Sequence, residues 1–321
     1  MKAAVLHEIG DLPRFDDFKE PEVHPDETLV RVKAASLKRS DKLMASGVHY
    51  DSYSELPVVC GIDGVGVLED GTRVFCGGPR PPFGMMAERT VVSRLRCMRV
   101  PDNVSDELAA ALPNPALSSW LPLVWRAQLK QGETVLILGA TGVAGKLAVQ
   151  IAKHLGAGRV VAAGRNRDIL ESLYELGADA TISLELPDGE LCHAFLQESK
   201  SSHFDIVLDY LWGHPTEVLL DALTGHDTFT VSARVRLVEI GEMAGAAVNL
   251  PAAALRSSAV EIYGSGGGGV VPPQAIFEAI PEVWSLAAQG KLRMDIDKVP
   301  LAQVGAVWRR DSKGRRIVLV P

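Results

Sequence analysis

The sequence predicts an α/β protein with two domains, one β-rich and one a doubly wound parallel sheet, and three observations carry that prediction. Up to about residue 115, short β-like runs are separated by Pro, Gly and Asp clusters such as PDET, EDGT and GGPRPP. From 116 to about 262, nearly continuous apolar strands alternate with helical patterns, as in a parallel sheet covered on both faces. At the centre of that alternation stands LILGATGVAGKLAVQ, a strand, a glycine-rich turn and a helix without pause.

In chain order, the strands expected of the first domain are TLVRVKAAS (28–36), PVVCGIDGVGVL (57–68), TRVFC (72–76) and AERTVVS (87–93), arranged as a partly open barrel. A helical stretch, ALSSWLPLVWRAQL, leads into strand ETVLILGA, helix 143–155, strand RVVAA, helix RDILESLYEL and strand ATISL. A polar helix at about 189–199 follows, then strand FDIVLD (204–209), helix PTEVLLDAL and strand RLVEIG (236–241). After 263 the alternation stops. The glycine run, a helix through QAIFEAIPEVWSLAAQG and two short strands, MDIDKVP and RRIVLVP, form a tail too small to fold alone, expected to return to the first domain. The domains are therefore expected at 1–115, 116–262 and 263–321.

The chain has 321 residues, 47% of them hydrophobic, and a formal net charge of −7. That charge argues against a nucleic-acid or anionic-membrane partner. No apolar run reaches the ~18 residues of a membrane span, and the N-terminus lacks the apolar stretch of a signal peptide. The four cysteines are widely spaced with no CxxC pair, and read as reduced thiols of a cytoplasmic protein.

The glycine loop has the chemistry of a phosphate cradle. Gly139, Thr141, Gly142 and Gly145 follow a buried strand and open a helix. Glycines there allow the tight turn, the close approach of a pyrophosphate and close helix–strand packing. The unpaired N–H groups of Val143, Ala144 and Gly145, with the helix dipole, suit an anion. The next strand ends a little over twenty residues past Gly139. An NAD site places Asp or Glu there, to accept from the ribose 2′-OH. This chain has Gly164, Arg165, Asn166 and Arg167 instead. With no carboxylate to repel it, a 2′-phosphate fits between two planar guanidinium groups, so the expected cofactor is NADPH.

Short-chain reductases begin with their glycine loop and carry Tyr-x-x-x-Lys; about 130 residues precede the loop here, and no tyrosine has a lysine four places on. The segments LPVVCGIDGVGVLEDGTRVF, FGMMAERTVVS, ILGATGVAGKLAVQIAKHLGA and the closing IDKVPLAQVGAVWRRDSKGRRIVLVP instead resemble the medium-chain dehydrogenase/reductase superfamily over nearly the whole chain, and most of all its zinc-independent quinone oxidoreductase branch. The resemblance implies a GroES-like β-rich catalytic domain plus a doubly wound Rossmann cofactor domain, with a cleft between them. It also implies a homodimer through the edge strand near 258–264. The superfamily's alcohol dehydrogenases carry a zinc-binding Cys in the segment matching SLKRSD and a His in the one matching Gly61-Ile62-Asp63. Lys38 and Ile62 stand there in this chain, and no metal site is expected.

Without a metal to stabilise an alkoxide, the expected reaction is hydride transfer from NADPH to an electron-poor acceptor, a quinone or an α,β-unsaturated carbonyl. An enoyl-thioester or alkenal reductase is the nearest alternative, and a non-catalytic NADPH-binding sensor or scaffold the alternative of another class. Relatives often have Asn where Lys38 stands and Tyr shortly after the glycine matching Gly47. Tyr50 is accordingly the first choice of proton donor, with Lys38 as an oxyanion donor or cofactor contact. Alternatively, Lys33, Lys38, Arg39 and Lys42 form a solvated basic face, Tyr50 is a surface loop residue and water supplies the proton. The resemblance further implies cofactor contacts from Ser118, from Ile240 and Gly241, and from Ser265, Gly266 and Gly267.

Overall fold

The computed structural model describes residues 1–224, 233–266 and 271–321. Gly267 lies outside them. The chain divides into two compact units, Met1–Pro113 with Met294–Pro321, and Asn114–Arg293.

The first unit opens with strands β1 (Lys2–Leu6), β2 (Arg14–Asp17), β3 (Glu27–Ser36), β4 (Val58–Val59), β5 (Asp63–Val67), β6 (Arg73–Gly77), β7 (Arg89–Ser93) and β8 (Cys97–Arg99). The single run read from PVVCGIDGVGVL is two strands, because Gly61 takes φ of +104° and breaks the extended backbone between β4 and β5. Neither β1 nor β2 was expected. The second unit holds β9 (Thr134–Leu138), β10 (Arg159–Gly164), β11 (Ala180–Ser183), β12 (Ile206–Asp209), β13 (Val235–Glu239) and β14 (Val260–Gly264). Strands β15 (Ile296–Pro300) and β16 (Arg316–Val320) belong to the first unit again.

Strands β2-β1-β4 form one small sheet of the first unit. A larger sheet runs β15-β16-β3-β5-β6-β8, with β7 also on β3. Side chains including Leu6, Val30, Val32, Met85, Met86, Trp308 and Leu319 form the core there. The C-terminal strands are part of that sheet through β16, whose Val318 and Leu319 pair with Ser36 and Ala35 of β3.

In the second unit the order is β11-β10-β9-β12-β13-β14, every pairing parallel. In order of appearance this is 3-2-1-4-5-6, the doubly wound dinucleotide-binding arrangement. All five residues of β9 are buried, as a central strand covered on both faces requires. The helix Pro273–Ala288 also belongs to this unit, which extends to Arg293, past the 263 at which the sequence reading places the return. The reason is local: β14 is the sixth strand of the parallel sheet, and Gln150 in the helix after β9 holds both the N–H and the C=O of Arg293. The helix read across ALSSWLPLVWRAQL begins earlier, at Pro113, and its regular turns end at Leu121. Pro122 has no N–H to continue the ladder, and residues 122–126 widen into a π turn closed by Ala127 N–H on the Pro122 carbonyl.

Candidate functional site

In a parallel sheet all the carboxyl ends of the strands lie on one edge, and ligands of open α/β sheets bind there, where the strand order reverses. That edge here carries Gly139 after β9, Gly164 ending β10, Asp209 ending β12, Ile240 and Gly241 after β13, and Ser265 and Gly266 after β14.

The turn after β9 is pinned from below. The N–H groups of Gly139 and Ala140 both donate to the Ala163 carbonyl, at 2.9 Å each, and Gly142 N–H donates to the Gly139 carbonyl at 3.1 Å. Gly139 has φ of +87°, a region costly to any side chain. A Cβ at Gly145 would lie 2.3 Å from the Gly139 oxygen and 2.5 Å from Ala140 Cα, so only glycine lets the helix come this close. A Cβ at Gly164 would likewise meet Thr141 Cγ2 at 2.5 Å. The helix Val143–His154 starts at Gly142, whose lack of a side chain leaves the helix uncapped. The first-turn N–H groups of Val143, Ala144 and Gly145 have no intrahelical acceptor, and form an anion cradle with the positive end of the dipole.

At the end of β10, Arg165, Asn166 and Arg167 are exposed. Asn166 caps the short helix Arg167–Ser172, its Oδ1 accepting from Ile169 N–H at 3.0 Å. Its amide N–H₂ remains to donate. Among the described residues neither Arg165 nor Arg167 enters an ion pair or hydrogen bond through its side chain, and the nearest acidic residue in sequence, Asp168, is already inside the helix.

Two features of this edge were missed in the sequence. Asp209 is fully buried, and each of its oxygens is used: Oδ1 accepts from the N–H groups of Leu211 (2.8 Å) and Trp212 (2.9 Å), and Oδ2 from the Thr216 hydroxyl (2.6 Å). Burial raises its pKa, against the pull of those three donors. It braces the turn in which Trp212 and Gly213 take positive φ, and Trp212 itself packs on the unit's core. The Asp209 carbonyl accepts from Ile240 N–H (2.8 Å) and Gly241 N–H (3.3 Å), tying β13's exit to β12's. Next to it, the Tyr210 hydroxyl meets Ser119 Oγ at 2.8 Å and donates to the Ser118 carbonyl at 3.0 Å. Burial pushes this phenol up to about 12. Ser118 turns its own hydroxyl back to the Pro115 carbonyl at 2.8 Å, so the neighbouring buried serine, not Ser118, carries the side-chain link to β12. A polar residue closing an apolar strand is the only trace of Asp209 in the sequence.

In the first unit, Lys38 stands between β3 and the helix Arg39–Ser46. The solvated basic face does not form around it: Lys33 and Arg39 are exposed, but Lys38 is only 1% accessible. Its Nζ lies 2.7 Å from Asp63 Oδ1 and 3.8 Å from Asp41 Oδ2, and donates to the Ser36 carbonyl at 3.0 Å. Asp41 in turn accepts from the N–H groups of Lys38 (2.8 Å) and Ile62 (3.3 Å). The buried Arg316 donates to the Leu37 carbonyl at 3.1 Å. Burial raises the pKa of Asp63 and the Lys38 ammonium opposes it. The same burial lowers that of Arg316. Tyr50 is 80% accessible, its ring stacked 4.1 Å from that of His49. The structure therefore gives the two residues opposite settings, Lys38 locked inside and Tyr50 on the surface. Tyr53 is the half-buried tyrosine of this segment. It packs on the core and faces the Cys60 thiol, and burial raises the pKa of both groups.

Comparison with known proteins follows the same lines. No family model matches the chain. A probable NADPH-dependent quinone reductase of Emericella nidulans is 29% identical, over 96% of both chains. A chloroplastic NADPH-dependent alkenal/one oxidoreductase of Arabidopsis thaliana is 32% identical over 59% of this chain, and the match spans 55% of that relative. Among solved structures, the quinone oxidoreductase of Thermus thermophilus, determined alone and with NADPH, superposes with a TM-score of 0.82 at 29% identity, covering all of both chains.

Proposed function

The chain belongs to the medium-chain dehydrogenase/reductase superfamily, in its quinone-oxidoreductase-like branch, and from this we propose that it is an NADPH-dependent reductase of quinones or α,β-unsaturated carbonyls. The observation that carries the cofactor choice is the end of β10. There, two arginines without partners among the described residues and an amide flank the place in which an NAD site keeps a carboxylate. The glycine turn fits the pyrophosphate, since the space a Cβ would need at Gly145 is already filled by backbone. We assign the cofactor contacts to Ser118, Gly139, Thr141, Gly142, Val143, Ala144, Gly145, Gly164, Arg165, Asn166, Arg167, Ile240, Gly241, Ser265 and Gly266, with Gly267 beside them in sequence.

Bound NADPH supplies a hydride. The residues of the chain hold and orient: the helix-start N–H groups bind the phosphates, and Asp209 with the Tyr210–Ser119 pair fixes the loops at the switch point. Our reading is zinc-independent. Where the alcohol dehydrogenases of the superfamily place a metal ligand, Lys38 presents an ammonium that is itself the cation for Asp63 and Asp41. Lys38 then acts as a positioning group under the helix Arg39–Ser46, its ammonium held by the Ser36 carbonyl and paired with Asp63 and Asp41. The proton reaches the reduced acceptor from Tyr50 or from water, both of which an exposed loop admits. We further propose a cytoplasmic homodimer. It fits the four free cysteines and the position of β14 as the last strand of its sheet.

The test is loss of NADPH absorbance, and separately of NADH, in EDTA with a quinone, an enone and an enoyl thioester. Turnover should favour NADPH by at least about 10- to 100-fold in kcat/KM, the worth of one charge-assisted hydrogen bond. The preferred acceptor identifies the substrate class. Equal use of NADH would remove the 2′-phosphate assignment. NADPH binding by fluorescence with no acceptor reduced would replace the enzyme with a sensor or scaffold.

A further inference from the structure

Two of the four cysteines face each other across a strand pair. Cys76 of β6 and Cys97 of β8 are register partners in an antiparallel ladder, so their side chains leave the same face of the sheet. The kind of pair follows from a neighbouring bond. Val100 N–H donates to the Arg73 carbonyl at 3.0 Å, which makes Val74/Arg99 a non-hydrogen-bonded pair, Phe75/Met98 a hydrogen-bonded pair and Cys76/Cys97 non-hydrogen-bonded again. In such pairs the Cα atoms lie about 4.5 Å apart with the side chains turned together, inside the range of roughly 4.4–6.8 Å that a disulfide spans. On the other flank of Cys76 the partner is Gly64, which offers no side chain to separate the thiols.

The two sulfurs differ in access. Cys76 is completely buried in the core of the first unit, whereas Cys97 is partly exposed and packs against that core from outside. Cys76 Sγ also lies 3.9 Å from the Met85 thioether, and its one proton serves either that sulfur or Cys97. A hydrogen bond from Cys76 and the charge of Arg94 hold the Cys97 thiol below its ordinary pKa, while the Cys76 thiol is held well above it. A reactive, reachable sulfur beside a protonated, buried one is the arrangement of an attacking and a resolving cysteine.

We propose that Cys97 and Cys76 form a peroxide-reactive dithiol, in which Cys97 is oxidised first and Cys76 then closes a disulfide between β6 and β8. In the first step the Cys97 thiolate attacks one oxygen of hydrogen peroxide. The O–O bond breaks, the leaving hydroxide takes a proton and departs as water, and Cys97 becomes a sulfenic acid. In the second step Cys76 sulfur attacks Cys97 sulfur and the S–O bond breaks, with the Cys76 proton leaving in a second water. The two sulfurs together lose two electrons and the peroxide gains them. The inference does not depend on the reductase reading, since peroxide is the only oxidant needed.

The experiment uses the full chain with one to two equivalents of hydrogen peroxide, followed by intact mass, thiol titration and non-reducing peptide mapping. The expected result is a loss of ~2 Da, a fall from four titratable thiols by a pair, one linked peptide joining residues 76 and 97, and full reversal by dithiothreitol. Cys97→Ser should abolish the mass loss. Cys76→Ala should leave a Cys97 sulfenic acid that dimedone traps, and Cys192→Ser should change nothing. Unchanged thiols in the native chain, oxygen adducts without a bridge, or a bridge to Cys60 or Cys192 would each overturn the proposal; none of these depends on a variant folding.

Discussion

Arg165 and Arg167 are the residues at which the molecule departs most clearly from what stability alone would choose. The macrodipole disfavours cations at the start of a helix, yet two stand beside the Asn166 cap, and neither is ion-paired among the described residues, Asp168 in the first turn included. A bound 2′-phosphate resolves that conflict. Replacing both with Ala should weaken NADPH by at least the roughly 10- to 100-fold worth of one lost charge-assisted hydrogen bond, and leave NADH within about twofold. Titrating intrinsic fluorescence with each cofactor decides it, and equal weakening would mean that the arginines do not contact the phosphate. These arginines were legible because their exposure and spacing follow from the strand end. Lys38 was not. In SLKRSDK it reads as one of a solvated set, and only β5, 25 residues further on, brings the carboxylate of Asp63 that makes its burial tolerable.

Helix against strand is the contact that sets the cradle, and glycine is what permits it. Gly145→Ala would place a methyl group 2.3 Å from one backbone atom and 2.5 Å from another, neither of which can rotate away. We expect a loss of roughly 1–3 kcal/mol in urea unfolding, as for other overpacked sites, together with weaker NADPH binding as the helix start moves. Gly189, in the first turn of the helix Asp188–Ser201, has nothing within 4 Å of its Cβ position. Gly189→Ala should therefore stabilise by about 0.4–1 kcal/mol through lost freedom of the unfolded chain. If the two substitutions had similar effects, close packing would not explain Gly145. The same physics governs which elements were readable. β9 and its parallel neighbours are buried on both faces and show as unbroken apolar runs. The break at Gly61 and the widened turn at Pro122 depend on a single backbone angle and a single missing N–H, which an apolar pattern does not register. β2 has the burial pattern of an exposed strand, leaving no apolar run by which to find it.

Across the whole molecule the carboxylates with shifted pKa fall into two groups that pull stability in opposite directions with pH. Hydrogen bonds hold several below their ordinary pKa: Glu20 through Arg89, Glu27 through Arg80, Glu107 through Lys298, Glu261 through Arg234, Asp16 through the Asp17 N–H and Asp70 through Thr72. Each contributes stability above the unfolded value of about 4, and that contribution is lost as pH falls through the folded value. Burial instead raises Asp63, Asp209 and Glu239. For these the folded chain takes up protons before the unfolded chain does, so stability increases as pH falls through their raised folded values toward the unfolded value of about 4. The first group is mostly at the surface, where solvent weakens each contribution, and the second is buried or half-buried. Urea midpoints should therefore hold or rise from pH 7.5 to about 5.5 and fall below about pH 4. Asp209 is the decisive member, because Thr216, Leu211 and Trp212 offset its burial with three donors while the carboxylate of Glu239 opposes its charge. Asp209→Asn keeps the acceptor for Leu211 and Trp212 but cannot ionise, so it should flatten the rise in mild acid while leaving the loss below pH 4 unchanged. A native midpoint that stayed flat down to about pH 4, with a pH profile that Asp209→Asn left unchanged, would mean that the donors offset burial and that Asp209 is ionised in the folded protein at little cost.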